Sequence, residues 1–388
     1  MRDIELKAGR DRAVRAGHPW IFSGAVASGL TDATPGDPVR VRTHDGRVVG
    51  VGYANPRTTI AVRLLAHEDV AVDAALVARR VDEALALRAA LLPGATALRI
   101  VNGEGDRLPG VVVDRYGDVL VCQLLTAGAA RLAPALFDAL RDGLAPRTIY
   151  ERSEGAVRRE EGIADATGLR SGDEPTVPLA IDEDGMTFLV DVVGGQKTGF
   201  FLDQREARRR VRGLARDRRV LNTFAYTGAI SIAAGLGGAR VVESVDASKP
   251  ALALAAQAWA RNALSDDRAR FVAANVFEHL RAIDETYDLV VVDPPPFVRR
   301  RGDVAAGLRG YKDVNLHAAK RLVPGGLLLT CSCSQHVTRD AFRETVAAAL
   351  GDAGRPGRVL AEWGHAADHP VALAHPEGQY LKALLVAV

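Results

Sequence analysis

Cysteine is scarce. The three residues Cys122, Cys331 and Cys333 cannot build a disulfide framework, so a reducing, cytoplasmic setting is expected. There are no paired C-x-x-C motifs and no H-E-x-x-H, so no metal site is expected. No run of about 18 apolar residues occurs, which argues against a membrane span. Met1 to Gly17 is charged throughout and lacks the apolar stretch of a secretory signal. G-x-G-x-x-G is missing too, so a dinucleotide cradle has poor support. Internal repeats and low-complexity linkers are absent. A net charge of only +2 neither demands nor excludes a nucleic-acid partner. What remains is 388 residues, 48% hydrophobic and 25% charged, material for two to three folded domains at roughly 150 residues each.

The pattern changes along the chain. Residues 1 to 68 read as short strands. Val39–Thr43 and Arg47–Tyr53 alternate around Asp45-Gly46, a two-residue hairpin signal. A helix is expected over 72–92, where Val77, Val81, Leu85 and Leu92 share one face and Pro93-Gly94 ends it. Strands are expected at 98–101, 111–114, 119–125 and 148–151, with a helix over 132–140. Residues 152–178 are polar and Gly-rich and read as a loop. Residues 180–182 and 186–193 bracket Asp184-Gly185 as a hairpin. These stretches define an expected small β domain, 1–68, and a central α+β domain, 69–195.

From 196 to 388 strands and helices alternate. Strands are expected at 220–224, 240–246, 270–273, 289–292 and 327–333, with helices between them. Such a rhythm implies a mostly parallel, doubly wound sheet, whose ligands bind beyond the carboxyl ends of the strands. Gly228 follows the first strand, where it is either a structural turn or a point of close backbone approach to a ligand. Asp246 ends the second; Ser248 is the better helix cap, which leaves Asp246 free for ribose hydroxyls. Asn275 follows the third and serves either an adenine edge or a helix cap. The fourth runs into Asp293-Pro-Pro-Pro-Phe297, whose prolines stiffen the exit and hold Asp293 in place. The fifth ends in Thr330-Cys-Ser-Cys-Ser334. Cys331 and Cys333 share a face by alternation, but only Cys333 reaches the mouth, where a nucleophile is the stronger reading. Two basic stretches stand out. One holds Lys7, Arg10, Arg12, Arg15 and His18; the other is the dense Arg205–Arg219 cluster. The second is either a solvated helix face or a phosphate-contacting surface.

Together these motifs resemble the class I S-adenosylmethionine-dependent methyltransferases, and more closely the large-subunit ribosomal RNA cytosine-C5 methyltransferases with an N-terminal PUA domain. The residues that carry the resemblance run the length of the chain. They are Gly17-His-Pro-Trp-Ile-Phe-Ser-Gly24, Asn102–Gly110 with Val113–Tyr116, Gly194–Arg205, Asn222–Gly228, Asp293-Pro-Pro, Ser332-Cys-Ser334 and Pro376–Lys382. The resemblance implies an α/β fold: a PUA β-barrel, a central α+β domain, and a Rossmann-like methyltransferase domain. It implies S-adenosyl-L-methionine (SAM) as cofactor, held by Lys197, Thr198, Phe200, Asp203, Phe224, Tyr226, Gly228, Asp246, Asn275 and Asp293. It implies Cys333 as nucleophile, since the attacking cysteine of such enzymes stands seven residues after a Gly-Gly turn, here Gly325-Gly326. Ribosomal RNA would be held by Arg10, Arg15, His18, Arg205, Arg208 and Arg209, and a homodimer is a further expectation of the resemblance. The sequence departs from related patterns at Pro296, where a lysine is usual, at Asn275, where an acid is usual, and in lacking a second cysteine after Asp293-Pro-Pro.

The implied chemistry is addition of the Cys333 thiolate to C6 of an unstacked cytosine, which turns C5 into a nucleophile for the donated methyl. Asp293 would orient the base or assist at N3. Two rivals stay open: an RNA amino-methyltransferase built on Asp293-Pro-Pro, and a non-catalytic RNA-binding assembly factor.

Overall fold

The computed structural model describes residues 1–388 and divides into two compact units. The first comprises Met1–Leu179, Asp191–Leu202 and Ala367–Gly378. It holds a six-stranded sheet in the order Trp20–Phe22, Ile60–Ala66, Val48–Ala54, Asp37–Arg42, Arg2–Leu6, Val26–Ser28. The Asp45-Gly46 turn joins Asp37–Arg42 to Val48–Ala54 antiparallel, with Gly46 at φ 83°. Alternate residues Ile4, Leu6, Val39, Val41 and Val62 fill the space beneath.

A second, five-stranded sheet follows in the same unit, in the order Ala166–Gly172, Thr148–Ser153, Val119–Leu124, Val111–Tyr116, Ala97–Asn102. Helix Ala74–Leu91 packs on it through Val77, Val81 and Ala84, and starts where the Asp73 carboxylate accepts from the Leu76 N–H at 2.9 Å. The expected loop over 152–178 is not one: Ala156–Glu161 is helical and Ala166–Gly172 is the sheet's edge strand. As the edge strand it pairs on one side only and buries none of its side chains fully, so no apolar alternation marks it in sequence.

The second unit comprises Ala180–Val190, Asp203–Ala366 and Gln379–Val388. The hairpin Leu179–Glu183 and Met186–Val190, expected in a central domain, therefore belongs almost wholly to this unit, and residues 367–378 belong to the first. The main sheet has seven strands, not five. Its order is Ala269–Ala273, Val241–Asp246, Arg219–Thr223, Tyr287–Val292, Leu322–Ser332, Lys382–Ala387, Arg358–Trp363. The first five strands in chain order are parallel; Lys382–Ala387 inserts antiparallel between Leu322–Ser332 and Arg358–Trp363. Strand order reverses between Arg219–Thr223 and Tyr287–Val292, which opens a crevice at their carboxyl ends. Helices on both faces bury near-continuous Val and Leu runs such as Leu289–Val292 and Leu327–Leu329. No helix of the chain is long and apolar enough to cross a membrane.

Candidate active site

The switch-point crevice of the second unit begins where the chain leaves Thr223. Phe224, Tyr226 and Gly228 all take left-handed backbone, at φ 56°, 49° and 74°. Two aromatics in that region cost on the order of 1–3 kcal/mol each and persist only where neighbours over-determine them. Here the Tyr226 N–H donates to Asp246 Oδ2 at 2.8 Å, and the Ala225 N–H to the Val245 carbonyl at 3.0 Å. A Cβ on Gly228 would lie 2.6 Å from that of Ala255, so only glycine fits there. Asp246 is thus not free, as the sequence suggests. Its Oδ1 also accepts the Ser248 N–H at 2.8 Å, while the Ser248 hydroxyl caps helix Lys249–Arg261 through the Ala251 N–H. Each carboxylate oxygen keeps a second acceptor position for a ribose hydroxyl. Asn275 caps helix Val276–Ala282, its Oδ1 accepting from the Phe277 N–H at 2.9 Å. The Phe277 ring lies 6.2 Å from Phe224 and 5.8 Å from Phe297, so aromatic faces line this side of the sheet.

Two strand ends meet beyond the switch point. After Val292, Asp293 accepts from Gln204 Nε2 at 2.9 Å. The next carbonyl, of Pro294, lies 3.8 Å from Cys333 Sγ. Cys331 is 1% exposed, and burial first, then the Asp293 charge, hold its thiol well above the usual cysteine range. Cys333 is half-buried at the end of strand Leu322–Ser332. Its neighbour Ser334 is fixed by three contacts: Oγ accepts from the Val298 N–H at 3.1 Å and meets the Tyr311 hydroxyl at 2.9 Å, and its carbonyl accepts from Lys382 Nζ at 2.6 Å.

Lys382 was visible in sequence only as the end of a motif. Antiparallel pairing sets it opposite Ser332, one residue before the thiol. It is 2% exposed and also donates to the Tyr380 carbonyl at 2.8 Å. Burial pulls its ammonium down to about 8, against the opposite pull of a negative Cys333 sulfur. Burial also raises the Tyr311 phenol, which a thiolate at Cys333 raises further. Asp203, another expected contact, is buried and accepts from the Tyr380 hydroxyl at 2.6 Å. Gln204, Tyr311, Ser334, Tyr380 and Lys382 are the site residues that sequence reasoning missed. Strand pairing places Lys382, and tertiary contacts bring in the other four, neither of which a linear reading displays.

Lys197, Thr198 and Phe200 belong to the first unit. The Thr198 hydroxyl donates to Asp114 at 2.6 Å and meets the Tyr116 hydroxyl at 2.8 Å. Phe200 is buried, and exposed Lys197 lies over the Phe201 ring at 4.2 Å.

The basic cluster needs a larger correction. Arg205 and Arg208 are 2% and 1% exposed and face inward. Arg208 grips Glu183 with two bonds of 2.6 and 2.7 Å, and Arg205 reaches the same carboxylate at 3.3 Å. They fasten the hairpin to helix Arg205–Leu214 and cannot meet phosphates. Arg209 is exposed but forks onto Asp184 at 2.6 and 3.2 Å. Arg10 and Arg15 are exposed, Arg15 lying 3.4 Å from Asp11. His18 is engaged at both nitrogens. Nδ1 accepts the Trp20 N–H at 3.1 Å, which makes Nε2 the donor to Glu377 at 3.3 Å.

Comparison with known proteins agrees with this geometry. Residues 144–352 match the family described as S-adenosylmethionine-dependent methyltransferase, and residues 4–67 a PUA-like domain. Among curated relatives, proteins named ribosomal RNA large subunit methyltransferase I come from Cronobacter sakazakii and Shewanella denitrificans. The first is 43% identical, covering 98% of this chain and 97% of the relative; the second is 42% identical, covering 99% of each. A candidate SAM-dependent methyltransferase from Streptococcus mutans superposes over 100% of both chains with a TM-score of 0.85 at 22% identity. A candidate methyltransferase complexed with SAH does so with a TM-score of 0.87 at 23% identity. At those identities the structural likeness is one of fold.

Proposed function

The chain belongs to the ribosomal RNA large subunit methyltransferase I family of SAM-dependent enzymes, and from that premise we propose that it methylates C5 of a cytosine in large-subunit ribosomal RNA through a transient Cys333 adduct. The observation that carries the cysteine assignment is the contrast along one strand. Cys331 is sealed and inert, whereas Cys333 is half-buried, beside the Asp293 turn and the Lys382 ammonium.

The second unit's crevice fits the cofactor. Gly228 lets the turn pass Ala255 where a Cβ would collide, Asp246 retains acceptor positions for ribose hydroxyls, and Phe224 and Phe277 offer aromatic faces to a purine. When bound, SAM supplies an electrophilic methyl group.

The chain's own groups do the rest. Lys382, protonated at neutral pH, stabilises the Cys333 thiolate. That sulfur forms a bond to C6 of the extruded base as the C5–C6 π pair shifts to C5 and N3 takes up a proton from water. Asp293, steadied by Gln204, orients the base at N3. After C5 has taken the methyl, water accepts the C5 proton, the C5–C6 double bond re-forms, the S–C6 bond breaks to return the thiolate, and N3 gives its proton back to water.

The test uses labelled SAM and a large-subunit rRNA transcript. We expect label in 5-methylcytidine, none with Cys333→Ala, and a protein–RNA adduct when the transcript carries 5-fluorocytidine. Label on an exocyclic nitrogen, with no trapped adduct, would transfer the assignment to amino-methyl chemistry.

A further inference from the structure

The second unit spends most of its densest arginine run internally. Arg205 and Arg208 hold Glu183, Arg209 holds Asp184, and Arg210 holds Glu206 at 2.7 Å. A different run is unspent. Arg299, Arg300 and Arg301 follow one another at the end of the Asp293–Phe297 turn. All three are exposed and none is ion-paired; the one acid in the turn that follows is Asp303. Exposed arginines elsewhere in this unit, such as Arg261, Arg343 and Arg358, have no arginine next to them in sequence.

The position of this run is fixed by the machinery around Cys333. Val298 is buried, and its N–H bonds the Ser334 hydroxyl at 3.1 Å. Arg299 is the next residue. Helix Val304–Lys320 packs Gly307 and Gly310 against Phe297 and Val298, where a larger residue would collide. The Phe297 ring, half-buried, lies 4.7 Å from Tyr311 and 5.8 Å from Phe277. The turn that starts at Asp293 therefore carries a half-buried aromatic ring and then three exposed arginines, the first of them one residue beyond the bond to Ser334. Alternation of stacking faces with bidentate cations is how proteins hold a single nucleic-acid strand.

We propose that Arg299, Arg300 and Arg301 seat the backbone phosphates of the RNA strand that flanks the base delivered to Cys333. This rests on the reading of RNA as substrate. It replaces the buried Arg205–Arg208 pair with a phosphate surface on the Asp293 turn, which is bonded through Val298 to Ser334, the residue after the thiol.

The full-length protein with Arg299, Arg300 and Arg301 all changed to Gln tests it, with a large-subunit rRNA transcript as probe. Three lost contacts to a single strand should lower the slope of log Kd against log salt by about 2, at roughly 0.7 per phosphate. KM for the transcript should rise at least tenfold. SAH affinity by calorimetry and the melting temperature should stay at wild-type values. The triple Lys variant should recover most of the salt slope, and the scattered control Arg261→Gln/Arg343→Gln/Arg358→Gln should leave KM unaltered. A wild-type salt slope and KM in the Gln variant would overturn the proposal while leaving the substrate reading intact. Wild-type protein that neither binds nor methylates the transcript would instead bring down that reading. Loss of polyglutamate binding in the Gln variant, with RNA binding unaffected, would assign the turn to an acidic protein partner and also overturn the proposal.

Discussion

Replacing Glu183 with Gln tests whether the arginine-rich helix is a fastening or a nucleic-acid surface. Glu183 is 1% exposed and is shared by Arg208, through two bonds, and by Arg205. Neutralising it leaves two guanidinium charges inside the second unit without their counter-ion. Removing one partner of a buried ion pair costs about 3–5 kcal/mol. For a unit of this size each kcal/mol moves the melting temperature by about 2–4 °C, so a fall of roughly 6–20 °C is expected. The Arg208 guanidinium also lies 5.7 Å over the Phe188 ring, so Arg208→Met keeps part of the packing but strands the carboxylate. The double change Glu183→Met/Arg208→Met, which removes the closest pair together, should recover part of the loss. Calorimetric melting of the four proteins, with salt-dependent RNA binding measured beside it, decides the matter. The reasoning is refuted if Arg208→Met melts like the wild type while its RNA salt slope falls.

Three further outcomes are expected. Gly228→Ala forces a Cβ against Ala255 at a φ of 74°, a strain of at least about 1–2 kcal/mol, and should weaken SAH binding by tenfold or more in calorimetry. Lys382→Met removes the cation beside Cys333. Iodoacetamide alkylation of Cys333, with Cys122 and Cys331 buried and silent, should slow at pH 7, and its pH profile should move to higher pH; superimposable profiles would refute the assignment. Burial holds the His375 imidazole below its usual 6.5. As pH falls through that value the unfolded chain takes up a proton that the folded first unit refuses. Stability to urea should therefore drop on acidification, by up to about 1.4 kcal/mol per pH unit, and His375→Gln should flatten that slope.

Periodicity made the parallel strands legible because their Val and Leu runs are buried on both faces. It failed where burial is one-sided. Arg358–Trp363 at the sheet edge and the polar strand Ala166–Gly172 carry no alternation strong enough to read. In the site, position along one strand separates Cys333, just past its carboxyl end, from Cys331 on the same face. The bond from the Tyr226 N–H to Asp246 was not legible, because it is delivered by left-handed backbone at two aromatics, a conformation no propensity suggests. Lys382 escaped notice for a related reason. Its chemistry arises from a register, Ser332 opposite Lys382, between residues fifty positions apart. The arginine density at 205–219 misled because charge count says nothing of a carboxylate waiting in a hairpin upstream.

The strand Lys382–Ala387 is made after both of the strands it separates. During synthesis, then, Leu322–Ser332 waits with an open edge, and the thiol loop lacks its ammonium until a later stretch of polypeptide slots into the gap. On the role proposed for Cys333, completion of the sheet would also complete the surroundings of its sulfur, since Lys382 arrives with the last strand to slot in.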